Sequence, residues 1–429
     1  MKLQHLKAVV LIASALFISF KGKSQQTTSD SAQLQKTIPF SMRDYKSFRA
    51  SMKPQVKEMA IKQIVGLGEG THGTAEFYRV RYYITRMLIE DFGFNHVAFE
   101  NDVTEVWQFN KKLQKTSDVN ALTKKYLLTL WQNEETKQLF TWIKDFNAKH
   151  KNKVSIDGID YPSQLPDVEM ISELLSSLNE TAFSAGLENL RRAATLQDDA
   201  WSGMNKAGYQ SDWKLLGSLV KNGYQTADSL EKIFLQKNWK SDTKQGLLLA
   251  IGNLKQGFEP FYRTLPEAAR DSIMAHNVIQ LAKSSQDKIV IWAHNAHLGK
   301  TGIYGNAVGG TGGYILKTLP NSYFVLGTAT AEGTFGGTTD ARAINNSPIK
   351  PYKLEKPIAG SWEEYFSGGH TANFYLKTDN FNPAKVEKPL RFVGYGIKSG
   401  ASSYDKTNLS DLFDALLFLK NTHAPTPLK

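Results

Sequence analysis

Val65-Gly66-Leu67-Gly68-Glu69-Gly70-Thr71-His72-Gly73-Thr74-Ala75-Glu76-Phe77 is the stretch on which the fold turns. The residues from Ile61 to Leu67 form a mostly apolar run of strand length. The glycines that follow let the backbone bend sharply. From Ala75 to Asp91 apolar residues recur at helical spacing, and Gly93 closes the pattern. Strand, tight loop and helix in that order predict a β-α unit. Its loop then lies at the carboxyl end of a strand, where α/β sheets hold ligands. That loop carries a carboxylate and an imidazole, Glu69 and His72, beside converging N–H groups of a helix start.

The same residues, Gly68 to Gly73, satisfy G-x-G-x-x-G. They follow a strand and open a helix, and the next strand, Asn95 to Phe99, runs into an acid, Glu100. Formally this is a dinucleotide fingerprint. Glu69 opposes that reading, because a carboxylate inside the loop repels a pyrophosphate. The helix opposes it too. Stepping from Phe77, Val80, Ile84, Met87 and Leu88 fall on one apolar arc, with Arg81 at its edge at about 40° and Glu76 at the other edge at about 260°. A charge turned toward a core needs a partner. Arg81 is therefore expected to reach Glu69 or Glu100, the alternative being a guanidinium that snorkels along the helix flank.

The 429 residues suffice for a large core. Residues 1–24 combine Lys2 and Lys7 with the apolar run Val9–Phe20 and a small-x-small site before Gln25, the pattern of a signal peptide too short to span a bilayer. This predicts a periplasmic or secreted protein with no stable membrane insertion after cleavage. Without the four lysines of that segment the net charge of +11 falls to +7. No basic run is interleaved with aromatics, so nucleic acid is not an expected partner. The chain has no cysteine. That removes disulfides, thiolate catalysis and cysteine-bound metal.

Residues 25–40 read as a flexible polar segment, and 41–420 as one α/β domain. Val154 to Ile159 is a further strand and ends in Asp160. From about 167 to 266 the pattern is helical with little strand signal, which predicts an inserted helical subdomain over the site. Lys288 to Trp292 is a buried strand that runs into His294 and His297. Gly299 to Gly313 reads as a mobile glycine-rich loop, Tyr323 to Ala329 and Phe392 to Tyr395 as strands, and Leu409 to Leu419 as a closing helix. Strands alternating with helices imply a mainly parallel or mixed central sheet flanked by helices.

Glu69 with His72, and His294 with His297, each follow a strand at the same three-residue spacing. Glu100 and Asp160 end two more strands. Such a set suits two chemistries. Imidazole and carboxylate are zinc ligands; they also build a metal-free acid–base site in which one histidine activates water. The spacing alone does not choose between them. No G-x-S-x-G elbow is present, so a covalent serine route is disfavoured. Two other classes stay open: a periplasmic protein that holds haem, metal or ligand without chemistry, and a nicotinamide oxidoreductase built on the glycine loop.

Several segments resemble the erythromycin esterase family. They are Gly68 to Phe77, Arg86 to Phe94, Val97 to Glu100, Trp131 to Asp160, Arg270-Asp271-Ser272-Ile273-Met274-Ala275-His276-Asn277, Ile291 to His297, and Phe413 to Phe418. The resemblance implies hydrolysis of a carboxylic ester, typically a macrolide lactone, with no metal and no cofactor. Carried over, His72 is the water-activating base, and Glu69, Glu100, Arg81, His294 and His297 complete the site. Arg81, His294 or His297 is expected to stabilise the oxyanion. Glu76 and Asp160 are expected to bind substrate. The helical region and the loop 299–313 carry little of the resemblance.

Overall fold

Alternate residues of the central strands face opposite sides of the sheet. Val65, Leu67, Val97, Phe99, Val290 and Trp292 enter one apolar cluster, and Ile64, Ala98, Ile289, Ile291 and Ala293 enter another. Helices cover both faces, so the middle strands are buried on both sides and read as continuous apolar runs. The computed structural model describes residues 34–204, 206, 208–263, 269–340, 344–369 and 371–429. The predicted signal peptide and most of the polar segment after it lie outside the described residues.

In chain order the strands are β1 Ile38–Pro39, β2 Ile64–Glu69, β3 His96–Asp102, β4 Ser155–Asp160, β5 Ile289–His294, β6 Gly302–Ile303, β7 Val308–Gly309, β8 Tyr323–Gly337, β9 Lys350–Lys353, β10 Asn373–Lys377, β11 Lys388–Arg391, β12 Tyr404–Thr407 and β13 Ala415–Thr422. The main sheet has nine strands in the order β1-β10-β13-β8-β2-β5-β3-β4, with β9 on β8. From β13 to β4 the pairs are parallel; β1, β10 and β9 pair antiparallel. The fold is thus a mixed central sheet flanked by helices, as the alternation of patterns implied.

Helix Ala75–Phe92 ends as expected, at Gly93 with φ 70°, whose N–H bonds Ile89 and Leu88 carbonyls. Strand β2 starts later than Ile61, which is 77% exposed, and runs on to Glu69. Glu69 is therefore the last strand residue rather than part of the loop. Helices Leu165–Ser177, Ser184–Met204, Trp213–Gln236 and Ser241–Tyr262 pack around an apolar cluster of their own.

Three expectations need correction. The closing helix is only Leu409–Leu412; Ala415 to Leu419 belongs to β13, inserted between β8 and β10. A short apolar run buried on both faces carries no period that separates strand from helix. The strand placed at Phe392–Tyr395 is Lys388–Arg391 instead, and beyond it only Val393 makes a bridge, to Thr71. The glycine-rich stretch 299–313 contains the hairpin β6–β7 and the start of helix Thr311–Thr318.

Candidate active site

Four neighbouring strands, β2, β5, β3 and β4, end at one edge of the sheet. Glu69 pairs in register with His294, and Asp102 with Asp160. Parallel pairing thus brings Glu69, His294, Glu100 and Asp160 side by side, although they are up to 225 residues apart in sequence.

Glu69 is fully buried and joins two partners. Its Oε2 accepts from Arg81 Nη2 at 3.0 Å and lies 3.1 Å from His72 Nδ1. Burial pushes the carboxyl up, and the Arg81 charge and the His72 contact more than reverse it, so it is held below its usual range. Of the two partners proposed for Arg81, Glu69 is the one it meets. The guanidinium is 1% exposed and caged by Trp292, Tyr78 and Trp131, with ring centres 4.6, 4.9 and 5.4 Å away. Enclosed there, it does not line the cavity and cannot donate to an oxyanion. Its contact is with Glu69, and through Glu69 with His72.

His294 and His72 stack at 4.6 Å between ring centres. The His294 Nδ1 accepts the Ala296 N–H at 3.3 Å, so the neutral ring carries its proton on Nε2, which is buried and makes no close hydrogen bond, the backbone of Val393 interacting only weakly with the ring. Burial and the neighbouring His72 push this imidazole well below its ordinary value. Glu100 accepts the His294 backbone N–H at 2.8 Å through Oε2. Its Oε1 lies 3.3 Å from both His297 Nε2 and Arg270 Nη2. Burial raises Glu100; His297, His72 and Arg270 outweigh it and hold the carboxylate ionised.

Two residues of this site, Arg270 and Asp271, were not singled out as functional from the sequence. They are adjacent, and about 100° of helix rotation turns them to different partners. Arg270 grips Asp160 with both Nε and Nη2, the first at 3.1 Å. Asp271 accepts from His297 Nδ1 at 2.8 Å, and is itself held by the Thr311 hydroxyl and the Gly309 N–H. The available signal was the Arg-Asp pair opening a helix, with no strand pattern of its own. Burial lowers His297, and Glu100 and Asp271 more than reverse this, so its pKa is raised.

A raised histidine gives stability that is complete below the ordinary value of about 6.5 and is lost as pH climbs through the folded pKa. Asp271→Asn removes one cause of the rise. The variant is expected to show a smaller loss of Tm with pH above about 6.5, the two profiles diverging by roughly 1–2 °C at least. Parallel profiles from thermal melts across that range would remove the His297–Asp271 pair from the account.

Glu76 does not join the cavity. Its carboxylate accepts the His423 backbone N–H at 2.7 Å and meets the His423 ring at 2.9 Å, tying the C-terminal segment to the helix start. The expectation that Glu76 binds substrate is corrected accordingly: its carboxylate is taken up by His423, which follows β13, and it is not among the residues that line the cavity. Asp160 does line the cavity, with its carboxylate clamped by Arg270. Four of the loop N–H groups are also spoken for. Gly70 donates to Thr328 Oγ1, His72 to the Val393 carbonyl, Gly73 to Tyr78 Oη and Ala75 to the His423 carbonyl. A pyrophosphate would find no free donors among them. Gly68 serves packing: a Cβ there would lie 2.2 Å from Asn295 Oδ1.

A cavity of about 300 Å³ opens over this edge. His72, His294, His297, Glu100, Asp160 and Arg270 belong to its polar lining. Trp131, Trp201, Tyr304 and Phe392 are among its aromatic walls, Trp201 coming from the helical layer. The model for the family described as erythromycin esterase matches residues 89–422.

The chain belongs to the erythromycin esterase family.

This places it among hydrolases of ester bonds. Erythromycin esterase type II of Escherichia coli is 23% identical over 426 residues, covering 90% of this chain and 96% of that one. Erythromycin esterase type I of Escherichia coli is 25% identical over 262 residues, 56% of this chain and 62% of that one. Among solved structures, a mutant of the erythromycin esterase EreC in its open conformation has a TM-score of 0.64 at 19% identity, covering 90% of this chain and 96% of that one. A succinoglycan biosynthesis protein reaches 0.77 at 19% identity, covering 95% and 100%. These structural likenesses carry the fold. Within the erythromycin esterase segment lie Glu100, Asp160, Arg270, Asp271, His294 and His297; Glu69, His72 and Arg81 precede it. Among the described residues no helix is long and apolar enough to cross a membrane.

Proposed function

We propose that this chain is an exported hydrolase that cleaves a carboxylic ester by direct attack of water. The observation that carries the reading is the buried Arg81–Glu69–His72 chain, with His72 facing the cavity beside the buried Nε2 of His294. Glu69 fixes His72 through Nδ1, which leaves Nε2 as the base. In the reaction His72 Nε2 takes a proton from water as the water oxygen bonds to the carbonyl carbon. The carbonyl becomes an oxyanion, and the neutral His294 donates its Nε2–H to it. When the C–O bond of the leaving alcohol breaks, His72 returns the proton to that oxygen. A carboxylic acid and an alcohol result.

The carboxylates at the site already have protein cations or imidazoles as partners: Glu69 has Arg81, Asp160 has Arg270, Asp271 has His297. This supports a route without a metal. Macrolide lactones are the substrates that the relatives' names suggest, and the basic n-region and apolar run of residues 1–24 support export.

The test is incubation with aryl esters and a panel of macrolides, read as a mass gain of one water. Prolonged EDTA or phenanthroline is expected to leave the rate unchanged. An enzyme inert on every ester sinks the esterase reading. Loss of activity on chelation, restored by zinc, sinks the metal-free mechanism.

A further inference from the structure

The hairpin β6–β7 carries a tyrosine where the backbone disfavours one. Tyr304 has φ 51°, followed by Gly305 and Asn306, both at 68°. Side chains other than glycine rarely occupy this left-handed region, and a bulky aromatic does so least of all. Such outliers persist where the surroundings hold them and function uses them. Here the surroundings do hold it. The Tyr304 N–H donates to Asp405 Oδ2 at 2.6 Å. Ile303 beside it is 2% exposed. At the other end of the hairpin Gly309, with φ 98°, donates its N–H to Asp271 Oδ2 at 2.8 Å. A Cβ on Gly309 would lie 2.2 Å from the Ala296 carbonyl. The hairpin is therefore seated on the turn that bears His294 and His297, and on the carboxylate that holds His297.

The Tyr304 ring lines the cavity and is still 40% exposed, so it stands at the mouth. A ladder of rings leads inward from it: Phe392 at 6.3 Å, then His294 at 6.3 Å, then His72 at 4.6 Å. The space inside is about 300 Å³. That is the bottom of the range of roughly 300–1,000 Å³ that holds drug-sized ligands. The charged lining is internally matched, since Arg270 commits its fork to Asp160 and Glu100. Among the described residues that line it, there is no free cation for an anionic ester.

We propose that Tyr304 is a size gate, and that it limits this site to slender, uncharged esters while turning away glycosylated macrolactones. The proposal rests on the esterase reading above and names its substrate class. Selection against bulk by an obstructing wall is a familiar way to obtain specificity.

The test compares kcat/KM for para-nitrophenyl acetate and for erythromycin in wild type, Tyr304→Asn, Tyr304→Gly and Tyr304→Phe. Asparagine and glycine both accept the left-handed backbone and remove the ring. The ratio of erythromycin to aryl acetate is expected to be low in wild type and Tyr304→Phe, and to rise about tenfold or more in the other two. Two outcomes overturn the gate alone: an unchanged ratio in both ring-less variants, or a wild type that opens erythromycin as readily as it cleaves the acetate. A wild type inert on both probes and on the wider ester panel overturns the esterase reading, and the gate with it.

Discussion

His72→Ala is expected to lower kcat by about 10²–10⁴-fold while the chain stays folded. On the proposed mechanism the alanine removes the group whose Nε2 would receive the proton of water, and it lies outside the strands of the sheet. His72 lies after the end of β2, and its ring is held by Glu69 and stacked on His294. Glu69→Gln is expected to lower kcat with less effect on KM. The amide keeps the shape but would no longer compensate the imidazolium that the proposed mechanism forms as water attacks. Both variants are read by steady-state kinetics and thermal melts together. A structural His72 would show the reverse: a lower Tm with near-normal kcat in the folded fraction. A folded His72→Ala protein with wild-type kcat ends the catalytic assignment.

The second large effect is on stability. Arg81→Met is expected to destabilise the fold by about 3–5 kcal/mol, because it leaves the fully buried Glu69 carboxylate without its counter-charge. Methionine fills much of the volume among Trp292, Tyr78 and Trp131, so the loss is chiefly electrostatic. Arg81→Lys keeps a charge but loses the planar fit among those rings, and its loss should be smaller. The decisive comparison is the double variant Glu69→Gln/Arg81→Met. With both charges gone it should recover part of the stability lost by Arg81→Met alone. Urea unfolding of wild type, Glu69→Gln, Arg81→Met and the double variant measures this. A double variant less stable by the simple sum of the two single effects would show that the pair is not coupled through charge.

The site's two histidine–carboxylate couples differ in how legible they were. Glu69 and His72 are three residues apart at the end of one strand, so one local pattern contains both. Arg81 was traceable because a guanidinium on the edge of an apolar helical arc demands a partner. Asp271 and His297 are 26 residues apart and belong to a helix and a turn after β5. No local period joins them. Glu76 was misplaced for a related reason: helix phase put it at the arc's edge, but only the path of the C-terminal segment shows that His423 takes its carboxylate.

The same division holds for the fold. The sequence by itself determined that strands alternate with helices and that acids and imidazoles stand at strand ends, and it weighed against reading the glycine loop as a dinucleotide cradle. Each of these follows from local chemistry: apolar period, turn residues, and a carboxylate where a phosphate would sit. Only the tertiary structure decided the strand order that makes β2, β5, β3 and β4 neighbours, and hence which acid meets which base. It also decided that Ala415–Thr422 is a strand, since a short apolar run takes its form from the strands on either side. Pairings between distant segments are set by burial of the whole sheet, and that energy is not written in any one stretch of the chain.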